Sequence, residues 1–483
     1  MNFRAILILS TVLVASADGK PSFVFIQGEG KGWNSSSVRM DPEIAESGND
    51  YFQTPNLERL AEGGMRLAHF YAPSPRCTPS RATYLTGKSP AKLGMTFVGL
   101  RAGPNVRLVE PRPTLEMPLE ETTIAEVLRD SGYATAHFGK WHVGRRSPTE
   151  HGFDETDGPN SNGGPENVQS PNPKQAYGIT ESGLRFIEAN AKAGLPFYLQ
   201  LSHYGGRSSA DARESTNEIV SGWAASRGRN VREIGLAAVI YDMDFTIGMV
   251  LDKLDELGIA DETYVFYTTD HGTPGSGNRP LAQGKGTVWD GGLRVPLFFR
   301  GPGIEPGSVS RVRATGMDLV PTVADLAGVH DKLPQDFEGG SLADVLTGKG
   351  SRSVSRLRDE IVFHFPHYDF DPLGPASAIL ADDYKLIRFY EEPAMPRLFN
   401  IGDDPYERNN LSATMPERVA ALEEMLDAYL TSVGAELPRT NASFDPYQEV
   451  SQAQRGGRQR AGDRDQDSRG RRQNRKRQRQ GNR

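Results

Sequence analysis

The chain has 483 residues, 37% of them hydrophobic and 24% charged, with 52 glycines, 33 prolines and a formal net charge of −7. That balance excludes a collagen-like, wholly disordered or multi-span membrane protein and describes a loop-rich enzyme large enough for a sizeable core. Its one cysteine, Cys77, has no partner for an internal disulfide, so the thiol is either inert and buried or chemically used.

In chain order, the N-terminus reads as an export signal. The apolar run Ala5 to Val14 ends in Ala15-Ser16-Ala17, the small-x-small form of a signal-peptidase site. Residues 1–17 are assigned as a signal peptide, and a secreted or periplasmic mature chain is expected to start near Asp18. The run falls short of the about 20 apolar residues that a spanning helix needs, and no later stretch is expected to cross a membrane.

From Ser22 to about Gly328, apolar runs alternate with amphipathic helical segments. Ser22 to Ile26, Phe197 to Leu201, Tyr264 to Thr268 and Val295 to Phe299 read as strands. Thr54-Pro55 reads as cap and first-turn proline of a helix reaching Glu62, and Thr123 opens a helix that Gly132 stops. The alternation predicts an α/β domain over 18–350, built on a large mixed, mostly parallel sheet flanked by helices.

After Arg352 the runs Ile361 to Phe365, Ala378 to Leu380 and Tyr384 to Phe389, a polar turn and a helix from about Pro416 to Leu430 predict a small C-terminal antiparallel sheet plus helix over 351–445. Residues 446–483 form a basic tail. From Ser451 it carries 12 Lys or Arg against 3 Asp, too polar to fold. Its charge of +9 within a total of −7 leaves −16 for the rest, which suits weak binding of the tail to a polyanion. Nucleic acid is not expected as a partner of an exported chain.

The sharpest local pattern is Cys77-Thr78-Pro79-Ser80-Arg81-Ala82-Thr83-Tyr84-Leu85-Thr86-Gly87. Pro79 suits a first helical turn, so Cys77 is expected just before a helix N-terminus, where backbone N–H groups favour an anion that Arg81 can also face. Such a pocket activates a thiol and supports a nucleophile without defining its kind. Further polar residues follow the strand-like runs: Lys140 and His142 in Gly139-Lys140-Trp141-His142-Val143-Gly144, His203 after Leu199-Gln200-Leu201-Ser202, and Asp270-His271 after Thr269. Lys285 lies in the glycine-rich segment Gly284 to Gly292, and Gly28-Glu29-Gly30-Lys31 reads as a flexible turn. Open α/β sheets place their ligand crevice at the carboxyl ends of strands, which gathers these positions into one expected site. Gly205 to Ser209 and His364-Phe365-Pro366-His367 are candidates to line it.

The Cys77 segment resembles the signature of the formylglycine-dependent sulfatases, a family of the alkaline phosphatase superfamily: Cys-x-Pro-Ser-Arg, then Thr and Gly. Arg76 and Tyr84 depart from the residues usual there. Gly132-Tyr133-Ala134-Thr135 through Gly144, the Lys285 loop, and more weakly Leu398-Phe399-Asn400 through Asn409-Asn410-Leu411 are similar to further family segments. The resemblance implies a sulfuric ester hydrolase acting on sulfated carbohydrate, with a small aryl sulfate as the alternative substrate. It implies that a formylglycine-generating maturation enzyme oxidises Cys77, whose hydrated aldehyde attacks sulfur. Arg81, Lys140 and Lys285 then neutralise the sulfate, Lys285 or His203 protonates the leaving oxygen, and His142 deprotonates the remaining hydroxyl.

The family also binds a divalent cation, usually calcium, so the resemblance implies Glu29, the modified Cys77, Asp270 and His271 as metal ligands. Here the chain departs: the usual aspartate pair after the first strand reads Glu29-Gly30, which removes a carboxylate and weakens a calcium site. Two other readings stay open. One is a noncatalytic binder of sulfated glycans with a degraded metal site. The other, a phosphatase or phosphodiesterase of the superfamily, is disfavoured because it would call for a Ser or Thr nucleophile and a denser Asp/His set.

Overall fold

A computed structural model describes residues 19–100, 105–164, 173–228, 234–349 and 353–448. The expected signal peptide and all but the first residues of the basic tail lie outside the described residues.

An eight-stranded sheet runs in the order Ser308–Ser310, Met65–Leu67, Leu297–Arg300, Thr263–Thr269, Ser22–Gly28, Phe197–Ser202, Ala134–Gly139, Glu155–Thr156. Pairing is parallel from Thr263–Thr269 to the Glu155–Thr156 edge, whereas Leu297–Arg300 runs antiparallel to both of its neighbours. The expected mixed, mostly parallel sheet is therefore present. Ser22–Gly28 is buried along its whole length, as the continuous apolar run of a strand covered on both faces requires. Its alternate residues serve opposite layers. Phe23 and Phe25 pack with Tyr84, Phe266 and Phe299, while Val24 and Ile26 pack with Leu199, Leu201, Ile247 and Leu251.

Helix boundaries follow local chemistry. Thr123, expected from the sequence to open a helix, caps Ile124–Arg129 through a capping box with Glu126. Thr54 precedes Pro55–Glu62 but does not cap it, because its hydroxyl is engaged by the backbone N–H and hydroxyl of Ser37 at 2.9 and 2.7 Å. Asp244 caps that helix instead, accepting from the backbone N–H groups of Asn56 and Leu57. Asp244 belongs to Ile234–Leu257, a helix long and apolar enough by length and composition to cross a membrane, contrary to expectation. It is an interior helix. Ala238, Ile247, Val250 and Leu251 are buried, and its buried Asp242 accepts from Tyr177 and Thr216 hydroxyls at 2.7 and 2.6 Å.

The C-terminal part is a four-stranded antiparallel sheet, Ile361–Phe365, Ala376–Ala381, Tyr384–Phe389 and Arg397–Asn400, covered by helix Pro416–Ser432. The fourth strand was expected as polar turn, since four residues are too few to show a period; pairing with Tyr384–Ile387 is what orders it. The other face shares a core with the main body, where Phe363, Phe365 and Phe399 pack with Tyr71, Phe97, Val288 and Leu293. Lys385 adds a buried ionic clasp, donating at 2.7 Å to both Asp290 and Glu407. Asp290 ends the segment that carries Lys285, so the small sheet anchors a site loop.

Replacing Lys385 by Met leaves two buried carboxylates without their cation, which should cost about 3–5 kcal/mol near neutral pH. Burial already pushes Glu407 up to about 7 despite Lys385. A carboxyl raised in the folded state takes up a proton on folding, so the deficit of Lys385→Met should be smaller at about pH 5 and larger at about pH 8. Denaturant unfolding at both values checks this, and a pH-independent deficit would contradict it.

Candidate active site

Strand ends deliver the site. Glu29 and Gly30 follow Ser22–Gly28, Lys140 and His142 follow Ala134–Gly139, His203 follows Phe197–Ser202, and Asp270 and His271 follow Thr263–Thr269. Cys77 is the first residue of helix Cys77–Thr86 with Arg76 as its N-cap, one residue further into the helix than the sequence suggested.

Four of the expected residues meet directly. The Cys77 sulfur lies 3.2 Å from His271 Nε2 and 3.7 Å from both Glu29 Oε1 and Lys285 Nζ. Lys140 joins through Glu29, donating to Oε2 at 2.7 Å, and donates also to the side-chain oxygen of Asn162 at 2.7 Å. Arg81 joins through Asp270 Oδ2, 3.2 Å from its Nε, and through the Lys140 carbonyl at 2.6 Å. Its buried Nη2 is ion-paired with the same Asp270 oxygen at 3.2 Å but makes no well-aligned hydrogen bond, so it retains donor capacity for an incoming anion.

Partners fix the imidazole tautomers. His271 Nδ1 lies 2.9 Å from the Gly272 carbonyl, which can only accept, so Nδ1 carries the proton and Nε2 turns a lone pair to Cys77. The Thr78 hydroxyl donates to the His142 carbonyl at 2.8 Å, so His142 Nδ1 donates to Thr78 Oγ1 at 3.2 Å and Nε2 stays unprotonated. His142 holds φ 58°, a left-handed conformation that costs a non-glycine residue on the order of 1 kcal/mol or more. The Asn160 carbonyl holds it there, accepting from the backbone N–H groups of Trp141 and His142.

His203 is not brought into contact with this group. Its Nε2 faces the hydroxyls of Thr180 and Thr246 at 3.4 and 3.3 Å. Both hydroxyls already donate to backbone carbonyls, so Nε2 is the donor and the buried Nδ1 is left as an acceptor without a partner. Burial holds its pKa at about 4, so in this arrangement the ring is neutral. The two other candidate lining segments divide. His364 and His367 turn inward, His364 to Ser377 and His367 to Thr96. Asp369 and Phe370, just beyond, approach Gly286 and Arg76.

Burial alone would raise Glu29, but Lys140, Lys285 and Arg81 outweigh it and hold the carboxyl well below its usual range. Burial would likewise raise Asp270, and His271 and Arg81 bring it down. Burial, with Lys140 and Arg81 nearby, holds His142 well below the usual imidazole value, and burial puts His271 at about 3. Lys285 is lowered by burial, which makes it a readier proton donor than a free lysine.

The sequence reading missed Lys31, Asn162 and the Gly205 backbone. The turn read as flexible is buried and pinned: Gly30 N–H donates to Asp270 Oδ1, Gly32 N–H to Thr273, and Thr269 donates to the Lys31 carbonyl. Lys31 is 3% exposed and donates to the Gly206 carbonyl at 2.9 Å, while Gly205 N–H donates to Glu29 Oε2 at 2.8 Å. A lysine between glycines carries no local mark of burial; only the three-dimensional neighbours reveal it.

Among the described residues, Glu29, Cys77 and His271 offer donor atoms within 4.8 Å of one another that could hold a metal ion. They do not form the shell of about six to eight oxygens that calcium takes. Gly30 has no side chain, and Asp270 spends one oxygen on Gly30 and the other on Arg81. Glu29 Oε2 is taken by Lys140 and Gly205, leaving Oε1, which faces the Cys77 thiol at 3.7 Å, as the one oxygen of these two carboxylates without an N–H donor.

Cationic side chains gathered round a buried cysteine, at the carboxyl ends of parallel strands, form a candidate anion site on a large mixed α/β sheet. The sulfatase family model matches residues 21–329, and the model described as N-sulphoglucosamine sulphohydrolase, C-terminal, matches residues 283–435. The chain belongs to the sulfatase family and is a sulfuric ester hydrolase. It is similar to N-acetylgalactosamine-6-sulfatase of Canis lupus familiaris, 28% identical over 490 residues covering 88% of each chain. It is 30% identical over 447 residues to arylsulfatase A of Homo sapiens, covering 78% of this chain and 84% of that one. In fold it matches Ps i-CgsB crystallised with k-i-k-neocarrahexaose, at TM-score 0.69 and 21% identity over 85% of this chain and 93% of that one. It also matches BT4656 in complex with its substrate D-glucosamine-2-N,6-O-disulfate, at TM-score 0.62 and 20% identity over 86% and 98% of the two chains.

Among the described residues no carboxylate lies within hydrogen-bonding distance of Lys285, so its removal should disturb charge more than packing. Lys285→Met should weaken binding of inorganic sulfate by about 10- to 100-fold, the worth of a charge-assisted hydrogen bond. Titration calorimetry with sodium sulfate checks this, and unchanged affinity would remove Lys285 from the anion pocket.

Proposed function

We propose that the protein hydrolyses sulfate esters of sulfated carbohydrate through a formylglycine derived from Cys77. The observation that carries this reading is the approach of Lys285, His271 and Glu29 to a single buried cysteine at a helix N-terminus. Sulfated carbohydrate is favoured as substrate by the named relatives, an N-acetylgalactosamine-6-sulfatase among them, and by the disulfated sugar bound in BT4656. A small aryl sulfate is the second reading, favoured by the arylsulfatase A likeness. The apolar N-terminus with its small-residue site supports an extracytoplasmic location.

In this reading a maturation enzyme, using dioxygen as oxidant, converts the CH2–SH of Cys77 to an aldehyde with the sulfur leaving as hydrogen sulfide, and water adds to give a geminal diol. One diol oxygen attacks sulfur in line, its proton passing to solvent, while Arg81, Lys140 and Lys285 stabilise the nonbridging oxygens. Lys285 is assigned as the donor to the leaving alcohol oxygen, since the neutral His203 has its one ring proton on Nε2, turned to Thr180 and Thr246. His142 Nε2, unprotonated because Nδ1 holds the proton, removes the proton of the second hydroxyl. The carbon–oxygen bond to sulfate then breaks and the aldehyde re-forms. No step is routed through calcium, because the donor set lacks the oxygens for it.

Peptide mass analysis of turnover-competent protein should find the Cys77 peptide carrying an aldehyde or its hydrate. An unmodified thiol in active enzyme would overturn the mechanism. His142→Ala should slow turnover by about 100- to 10,000-fold, the range for a lost acid–base group, and accumulate a sulfated Cys77 peptide visible by the same mass analysis. Free-sulfate release from defined sulfated oligosaccharides against an aryl sulfate separates the two substrate readings.

A further inference from the structure

The charges around Cys77 leave no place that a divalent cation must fill. Glu29 is bonded to Lys140, and Asp270 to Arg81. With those pairs closed, Lys285 stands unpaired beside the cysteine, and Lys31 contributes a second buried ammonium within electrostatic reach of both carboxylates. Asp211, which also faces Lys31, is answered by Arg207 on the same side. The cluster is therefore cationic before any ion enters, as an anion pocket should be. A dication would add two charges to it while finding one carboxylate oxygen without an N–H donor, Glu29 Oε1, which faces the Cys77 thiol.

Space tells the same story. Gly30 sits at φ 60°, and a side chain there would meet His271 Cε1 at 3.1 Å. The imidazole thus occupies the volume beside Gly30 where another ligand would have to enter. The backbone N–H of Gly30 donates to Asp270, turning that carboxylate toward the protein. Lys31 cannot simply swing out, because it is 3% exposed and held by the Gly206 carbonyl, one residue beyond the glycine that bonds Glu29.

We infer that this sulfatase works without a resident divalent cation, the buried Lys31 ammonium together with Lys140 and Arg81 supplying the positive charge at the sulfate. Lys31 acts here as a charge-setting residue behind Glu29, and the sulfate itself is touched by Lys140, Arg81 and Lys285. The inference rests on the proposed sulfate-ester hydrolysis but is tested partly without it.

The experiment uses the full-length, matured protein dialysed against EDTA and then against metal-free buffer. Elemental analysis should find well under one equivalent of calcium, magnesium, manganese or zinc per chain. Calcium chloride should give neither binding heat nor a rise in melting temperature, and sulfate release should be the same in EDTA as in calcium. Lys31→Met should lower kcat/KM at least 10-fold in EDTA and should bind calcium measurably, which a merely structural role for Lys31 would not produce. About one tightly held metal per chain, a calcium-dependent melting rise in the unaltered protein, or sulfate release that EDTA abolishes and calcium restores would overturn the inference while leaving sulfatase activity intact. Hydrolysis of no sulfate ester in any buffer would instead defeat the proposed function, and the metal analysis and calorimetry would still decide this point.

Discussion

The pairing of buried opposite charges at the ends of the central strands is the constraint on which the rest depends. Glu29 and Asp270 are fully enclosed carboxylates, and each is tolerable only because a cation is bonded to it. Those bonds in turn hold Lys140 beside Glu29 and tie Arg81, on the helix that begins with Cys77, to the end of the sheet. Remove either carboxylate and a buried cation loses its partner; remove either cation and a buried carboxylate does. The active-site geometry and the integrity of the sheet end are thus one property.

The small C-terminal sheet takes part in this arrangement. Its Lys385 holds Asp290 at the end of the Lys285 segment, and Asp369 from the following connection pairs with Arg76, the residue before Cys77. Phe370, 41% exposed, lies beside the Arg76 guanidinium. The C-terminal part thus touches both the Cys77 segment and the Lys285 segment. Substrate discrimination by a family that shares one catalytic core fits such a placement, since the edges of a site vary more freely than its centre.

Much of this was legible in the sequence, for identifiable reasons. Strands such as Ser22–Gly28 are buried on both faces and leave continuous apolar runs, and the residues just after them mark the crevice. The helix start at Thr123 is a local signal and was read correctly. What failed was non-local. Asp244 replaces Thr54 as cap from nearly two hundred residues away, and Arg397–Asn400 becomes a strand through pairing alone. The partners of His203, two threonine hydroxyls on neighbouring helices, are likewise non-local and carry no mark in the strand-end pattern. Lys31 looked solvated because nothing adjacent in the chain announces that it is enclosed.

The central claim is that Arg81, Lys140, His142 and Lys285 surround one oxyanion beside residue 77. A crystal structure of the matured protein with a sulfated sugar bound tests it most directly. The account predicts the ester sulfur in line with a formylglycine oxygen at position 77 and sulfate oxygens within hydrogen-bonding distance of Lys285 and the Arg81 guanidinium. A sulfate held elsewhere, with those side chains bonded only to one another, would contradict it.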